Sequence, residues 1–211
     1  MQLSFTNYRK TFGAAEVLNI NDLTLESGIY WVKGENGSGK STLFKSIAGI
    51  IDFEGDIVLN QILNSQKQTV EYRKLVNFAE AEPLFPEFLT GKDLIKLFSE
   101  AKNAPASQSE FYLSDMKMQT YLNEPIGAYS SGMLKKLSIV LAFLGKSQLI
   151  LLDEPLITLD SDSLKILNKW IEKKFVEDGV SFLISSHQAL SLDSGIATKT
   201  LLVENRTLNF A

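Results

Sequence analysis

The chain has 211 residues, 45% of them apolar and 22% charged, with a net charge of −4 and no cysteine. That balance suits a soluble globular domain with a full core, and the acidic charge argues against a dedicated DNA or RNA binder, because a phosphate backbone rewards a basic face. The missing cysteine excludes disulfides, thiolate metal sites and a cysteine nucleophile together, and fits a reducing cytoplasm.

The first thirty residues read as strands. QLSFTNY alternates apolar and polar, VLNINDLTL (17–25) does the same, and IYWV (29–32) enters a glycine-rich loop. After the loop, Leu43, Phe44, Ile47 and Ile50 recur at helical spacing. GDIVLN and KLVNFAE are short strands. From Thr90 to about Lys136 the pattern turns helical, interrupted by a linker-like KNAPASQSE (102–110). SQLILLDEP (147–155) is a buried strand ending in acids. DSDSLKILNKWIEKKFVEDG is a helix with an acidic start and Gly179 as its stop. VSFLISSH is a second buried strand, and TKTLLVENRTLNF closes the chain as a hairpin.

The order predicts an α/β core with a helical insert. No leader is expected, since MQLSFTNYRK lacks a basic segment followed by an apolar one. The longest apolar runs, IVLAFL and LILL, fall far short of the roughly 20 residues a membrane span needs, so any membrane role is expected to run through a partner.

Residues 33–44, KGENGSGKSTLF, carry the strongest chemical signal. Gly34-x-x-x-x-Gly39-Lys40-Ser41 fits the Walker A pattern. Glycines let successive backbone N–H groups turn inward on a phosphate, and the following helix adds its free amides and positive dipole end. Lys40 is expected to reach the β- and γ-phosphates, and the Ser41 hydroxyl to ligate Mg²⁺. In LILLDEP, apolar residues deliver Asp153 and Glu154 at the end of a buried strand, where α/β folds place function. Asp153 is the metal candidate. Glu154 is the candidate to polarise the attacking water. His187, the only histidine, ends a strand parallel to the acidic one, where it can bridge γ-phosphate and water.

With these residues in view the chain resembles the ATPase subunit of ABC transporters over essentially its full length. GENGSGKST matches that family's Walker A, including Asn36, Gly37, Ser38 and Thr42, and LILLDEP its Walker B. YSSGM (129–133) falls on the five-residue signature, which brings in Ser130, Gly132 and Met133. SSH (185–187) matches the switch histidine and LD (159–160) the D-loop. KTFG places Phe12 where the family stacks an aromatic on adenine.

The resemblance implies one P-loop ABC ATPase domain over 1–211: a mixed sheet, an N-terminal antiparallel β subdomain, and a helical subdomain inserted at about 90–136 that carries the signature. It implies ATP and Mg²⁺ as ligands. It also implies a homodimer or a heterodimer with another ABC ATPase subunit, because the family's signature covers the ATP held by the other subunit. The partner it implies is an integral membrane permease on the cytoplasmic face, with Phe85 and Phe88 of PLFPEFL as candidate contacts. No nucleic acid is expected.

Several positions depart from the family. Ser131 stands where glycine is common, Met133 where glutamine is common and Ile157 where serine is usual. The Q-loop glutamine position falls on Ala81, whose side chain can neither ligate metal nor hold water. Glu82 is a candidate replacement, and an ordinary surface acid is the alternative. The expected function is MgATP hydrolysis powering an exporter. The rivals are a nucleotide-binding regulatory subunit of low ATPase activity and a soluble ABC ATPase outside transport.

Overall fold

A computed structural model describes residues 1–188, 192 and 195–211. Four strands form an antiparallel sheet in the order β2–β1–β4–β5: β1 (Gln2–Phe12), β2 (Ala15–Glu26), β4 (Glu54–Leu59) and the two-residue β5 (Leu63–Asn64). Six strands form the second sheet in the order β10–β9–β3–β8–β7–β6: β3 (Ile29–Lys33), β6 (Val76–Ala79), β7 (Leu149–Asp153), β8 (Ser181–Ser185), β9 (Thr198–Glu204) and β10 (Thr207–Phe210). All neighbours in it run parallel except the closing hairpin β9–β10. The α/β architecture, with a mixed sheet beside an antiparallel one, agrees with the sequence expectation.

The burial patterns explain the two sheets. Every residue of β7 and β8 is buried, as a parallel strand covered on both faces requires. In β7, side chains alternate between two cores. Ile150 and Leu152 join Phe182, Ile184, Leu167 and Trp170 on one side. Leu149 and Leu151 join Leu43, Phe44, Leu3 and Phe5 on the other.

The helices are α1 (Lys40–Ile47), α2 (Thr69–Leu75), α3 (Gly91–Ala101), α4 (Ala106–Asp115), α5 (Ser131–Phe143) and α6 (Ser161–Asp178). A capping box at Thr90 and Asp93 starts α3. Gly179, at φ 67°, ends α6 in the left-handed region that favours glycine. The linker-like reading of 102–110 needs correction: α4 begins at Ala106, with Pro105 at its N-cap. Of the insert's aromatics and methionines, Tyr112, Met116 and Met118 are buried. Phe111 stands 44% exposed.

Candidate active site

Loop 34–39 leaves β3 and feeds α1. Gly37 and Gly39 adopt φ of 80° and 106°, where a side chain is strained. A Cβ on Gly34 would come within 2.5 Å of Ser38 Oγ and 2.6 Å of the Val203 carbonyl. The N-terminus of α1 has no side-chain cap, and Ser38 Oγ is buried without a hydrogen-bond partner. This cradle therefore holds unspent donors, as an anion site requires. Lys40 opens the helix, and its Nζ donates to the carbonyls of Gly34 (2.8 Å) and Glu35 (3.0 Å).

The carboxyl ends of β7 and β8 supply the acids and the histidine. Asp153 is buried, and Ser185 Oγ donates to its Oδ1 at 2.5 Å. The Glu154 amide donates to Ser185 Oγ (3.0 Å) and to the Ser185 carbonyl (3.2 Å). Glu154 sits at φ 45°, a left-handed conformation that a glutamate adopts only under local constraint. His187 Nε2 lies 3.6 Å from Glu154 Oε1.

Most of these pieces line one cavity of about 840 Å³, whereas Gly34, Ser38 and Asp153 stand behind its wall. Phe12, Asn36, Gly37, Gly39, Lys40, Ser41 and Thr42 line one side of it. Ala81, Glu82, Lys135, Glu154, Ile157 and His187 line another. Phe12 is 55% exposed, with Lys10 Nζ 4.6 Å from its ring centroid. Ser41 and Asp153 offer one hydroxyl and one buried carboxylate. That donor set fits Mg²⁺, which is commonly held by one or two carboxylates together with waters and substrate phosphates. Among the described residues no three His, Cys, Asp or Glu side chains gather into an all-protein cation cage.

The signature residues behave differently. Ser131 lines the cavity, but Ser130, Gly132 and Met133 do not. Ser130 is exposed and caps α5, its Oγ accepting from the Met133 amide at 3.3 Å. Gly132 packs under the D-loop: a Cβ there would lie 3.1 Å from the Thr158 carbonyl.

Three site residues escaped the sequence reading. Ser185 ties Asp153 to Glu154, as above. Lys135 is buried in α5, and its Nζ donates to the carbonyls of Glu80 (3.0 Å), Ala81 (2.8 Å) and Asp153 (3.0 Å). Burial pulls its pKa down to about 8, against the upward pull of Asp153, Glu154 and Glu82. Lys136 pairs with Asp160 at 2.8 Å, which holds that carboxyl well below the usual range, and the Ser163 amide adds to the effect. The only signal for Lys135 and Lys136 was their place in a helical run, which reads equally well as a solvated face.

A second groove of about 720 Å³ lies beside the 80–85 segment, lined by Ile50, Val70, Phe78, Leu84, Phe85 and Phe98 among others. Of the two candidate permease contacts, only Phe88 stands out in solvent. Phe85 is half-buried and packs against the helical core, whereas Leu84 and Phe88 are 90% and 82% exposed.

A family model described as ABC transporter matches residues 18–157. The chain belongs to the ABC transporter family. It is similar to the lantibiotic transport ATP-binding protein SrtF of Streptococcus pyogenes, at 28% identity over 88% of this chain and 80% of that one. It is similar to the cytochrome c biogenesis ATP-binding export protein CcmA of Reclinomonas americana, at 32% identity over 91% of this chain and 85% of the relative. Its fold matches an ATP-binding cassette solved as a dimer in a post-hydrolysis state bound to ADP and Pi, with a TM-score of 0.79 and 19% identity over 98% and 96% of the two chains. This ABC chain is thus of the ATP-binding subunit type. Among its described residues no helix is long and apolar enough to cross a membrane.

Proposed function

We propose that this chain binds MgATP in the 840 Å³ cavity, hydrolyses it, and thereby powers an export permease. The observation that carries the reading is the convergence of Lys40, Glu154 and His187 on that cavity. The loop amides and Lys40 hold the phosphates, Phe12 stacks on the base, and Asn36, Gly37, Ser38, Gly39 and Thr42 complete the cradle. Ser41 and Asp153 hold Mg²⁺, which when bound offsets phosphate charge. Glu154 orients and polarises the attacking water by accepting its O–H, and His187 bridges that water and the γ-phosphate. Catalysis here is positioning and charge stabilisation, as phosphoryl transfer generally demands.

The single ATPase domain spans 1–211, with the helical insert at about 90–136 presenting Ser130, Gly132 and Met133 to a second subunit. Their position off this chain's own cavity supports that division of labour. The dimeric cassette of similar fold supports it too. Export is favoured by the name of CcmA, an export protein. The groove at 84–85, with Phe88 close in sequence, is the face for the permease, which holds the chain on the cytoplasmic side of the membrane.

Ala81 favours one second reading, a nucleotide-binding regulatory subunit of low turnover. ATPase rates of wild type and Glu154→Gln, alone and with co-purified permease, separate the two. Wild type is expected to exceed the variant by at least about a hundredfold. Equal rates with the permease present would establish the regulatory reading, and recovery of no polytopic partner from detergent-solubilised membranes would sink the transport reading.

A further inference from the structure

The proposed reaction leaves one buried charge unused. Lys135 is 2% exposed, and a methionine of similar reach would fill the same space without carrying a charge out of water. An ammonium has three N–H bonds, and the three carbonyls of Glu80, Ala81 and Asp153 take all of them. The acceptors belong to two separate segments, the one after β6 and the end of β7, and the donor belongs to α5. One side chain therefore joins three pieces of the fold.

The acceptor on β7 is the informative one. The Asp153 carbonyl and the Glu154 amide are the two polar groups of a single peptide unit. Lys135 holds the carbonyl at 3.0 Å, and Ser185 holds the amide at 3.0 Å through Oγ and 3.2 Å through its carbonyl. Both ends of that planar unit are fixed, so its rotation, and with it ψ of Asp153 and φ of Glu154, is set from outside the strand. Glu154 rests at φ 45°, which its own backbone preference does not supply. The same ammonium holds the backbone of Ala81, which lines the cavity with a methyl group that can neither donate nor accept a hydrogen bond.

We propose that Lys135 is a positioning residue for ATP hydrolysis: by clamping the Asp153–Glu154 peptide it aims the Glu154 carboxylate, and by clamping Ala81 it ties the 80–82 segment to the catalytic strand through backbone instead of side chain. The proposal rests on the ATPase reading above. Lys135 lines the same cavity, but its three N–H bonds are spent on backbone carbonyls, so it has no donor left for nucleotide, and binding and turnover respond separately.

The test compares the full chain carrying Lys135→Met, Lys135→Gln and Lys135→Arg with wild type, measuring kcat and KM for ATP and the affinity for a fluorescent ATP analogue. Misaiming a catalytic group by about 1 Å costs on the order of a hundredfold in rate. Lys135→Met is expected to lower kcat at least about tenfold while KM and analogue affinity stay within about threefold. Lys135→Arg, which keeps charged donors, is expected to recover more of kcat than Lys135→Gln. Unchanged kcat in Lys135→Met overturns the proposal and leaves the ATPase reading intact. Loss of analogue binding in both Lys135→Met and Lys135→Gln overturns it as well, since the lysine is then a fold element only. Wild type without turnover, alone and with permease, overturns the ATPase reading and the proposal with it.

Discussion

His187 Nε2 and Glu154 Oε1 stand 3.6 Å apart, at the ends of adjacent parallel strands. The two side chains are unequal partners: that of Glu154 is 13% exposed and that of His187 54%. Glu154 is held by its backbone, and the His187 side chain reaches into solvent. His187→Ala is therefore expected to lower kcat by about a hundredfold with little change in nucleotide affinity, a split that steady-state kinetics and analogue binding read directly.

Gly34 is fixed by crowding. Its missing Cβ would press on Ser38 Oγ and on the Val203 carbonyl of β9, and the second neighbour is backbone in a paired strand. Gly34→Ala is expected to cost about 1–3 kcal/mol in chemical denaturation and to weaken binding of the ATP analogue by about tenfold or more. Wild-type affinity in this variant would mean that the loop has slack.

Asp160 caps α6 by accepting from the Ser163 amide at 2.8 Å, and it pairs with Lys136 at 2.8 Å. Asp160→Ala is expected to lose about 1 kcal/mol, or about 2–4 °C in Tm for a chain of this size. The carboxyl's pKa is lower in the folded chain than in the unfolded one. Its contribution is thus present above the unfolded value near 4 and fades as pH falls below that. The Tm gap between wild type and variant should narrow between about pH 5 and pH 2, and a gap constant over that range would contradict the ion-pair account.

Leu84 and Phe88 are large, apolar and almost fully in solvent, and Leu84 lines the groove of about 720 Å³. Leu84→Asp and Phe88→Asp are each expected to reduce permease recovery by at least about tenfold, while Tm moves by less than about 1 °C because neither side chain is packed. Full recovery with both variants would move the interface elsewhere.

Much of this site could be read from the sequence, for physical reasons. The glycine loop declares itself through glycines placed where the backbone must turn toward an anion, and LILLDEP through four apolar residues that run straight into two acids and a proline. The element order followed from the same contrast between period two and period 3.6. What stayed hidden depended on distant partners. Helix α2 buries only Tyr72, so it shows no apolar stripe. Helix α4 starts inside a run of small polar residues that also reads as a linker. Lys135 lies next to Lys136 in a helical run, where a lysine ordinarily marks the solvated face, yet α5 is buried along most of its length. The burial of Lys135 is decided by carbonyls 54 and 55 residues away in the chain. Phe85 and Phe88 sit three positions apart in one loop, and only tertiary packing divides them into a covered and an open ring.

The strand β7 touches one core with Leu149 and Leu151 and another with Ile150 and Leu152. In β1 and β2, exposed and half-exposed positions recur along each strand, and substitution there meets water. No such neutral position exists in β7. Strand β8 is built the same way, with Phe182 and Ile184 in the one core and Leu183 in the other, so a substitution in either strand meets packed side chains whichever way it points.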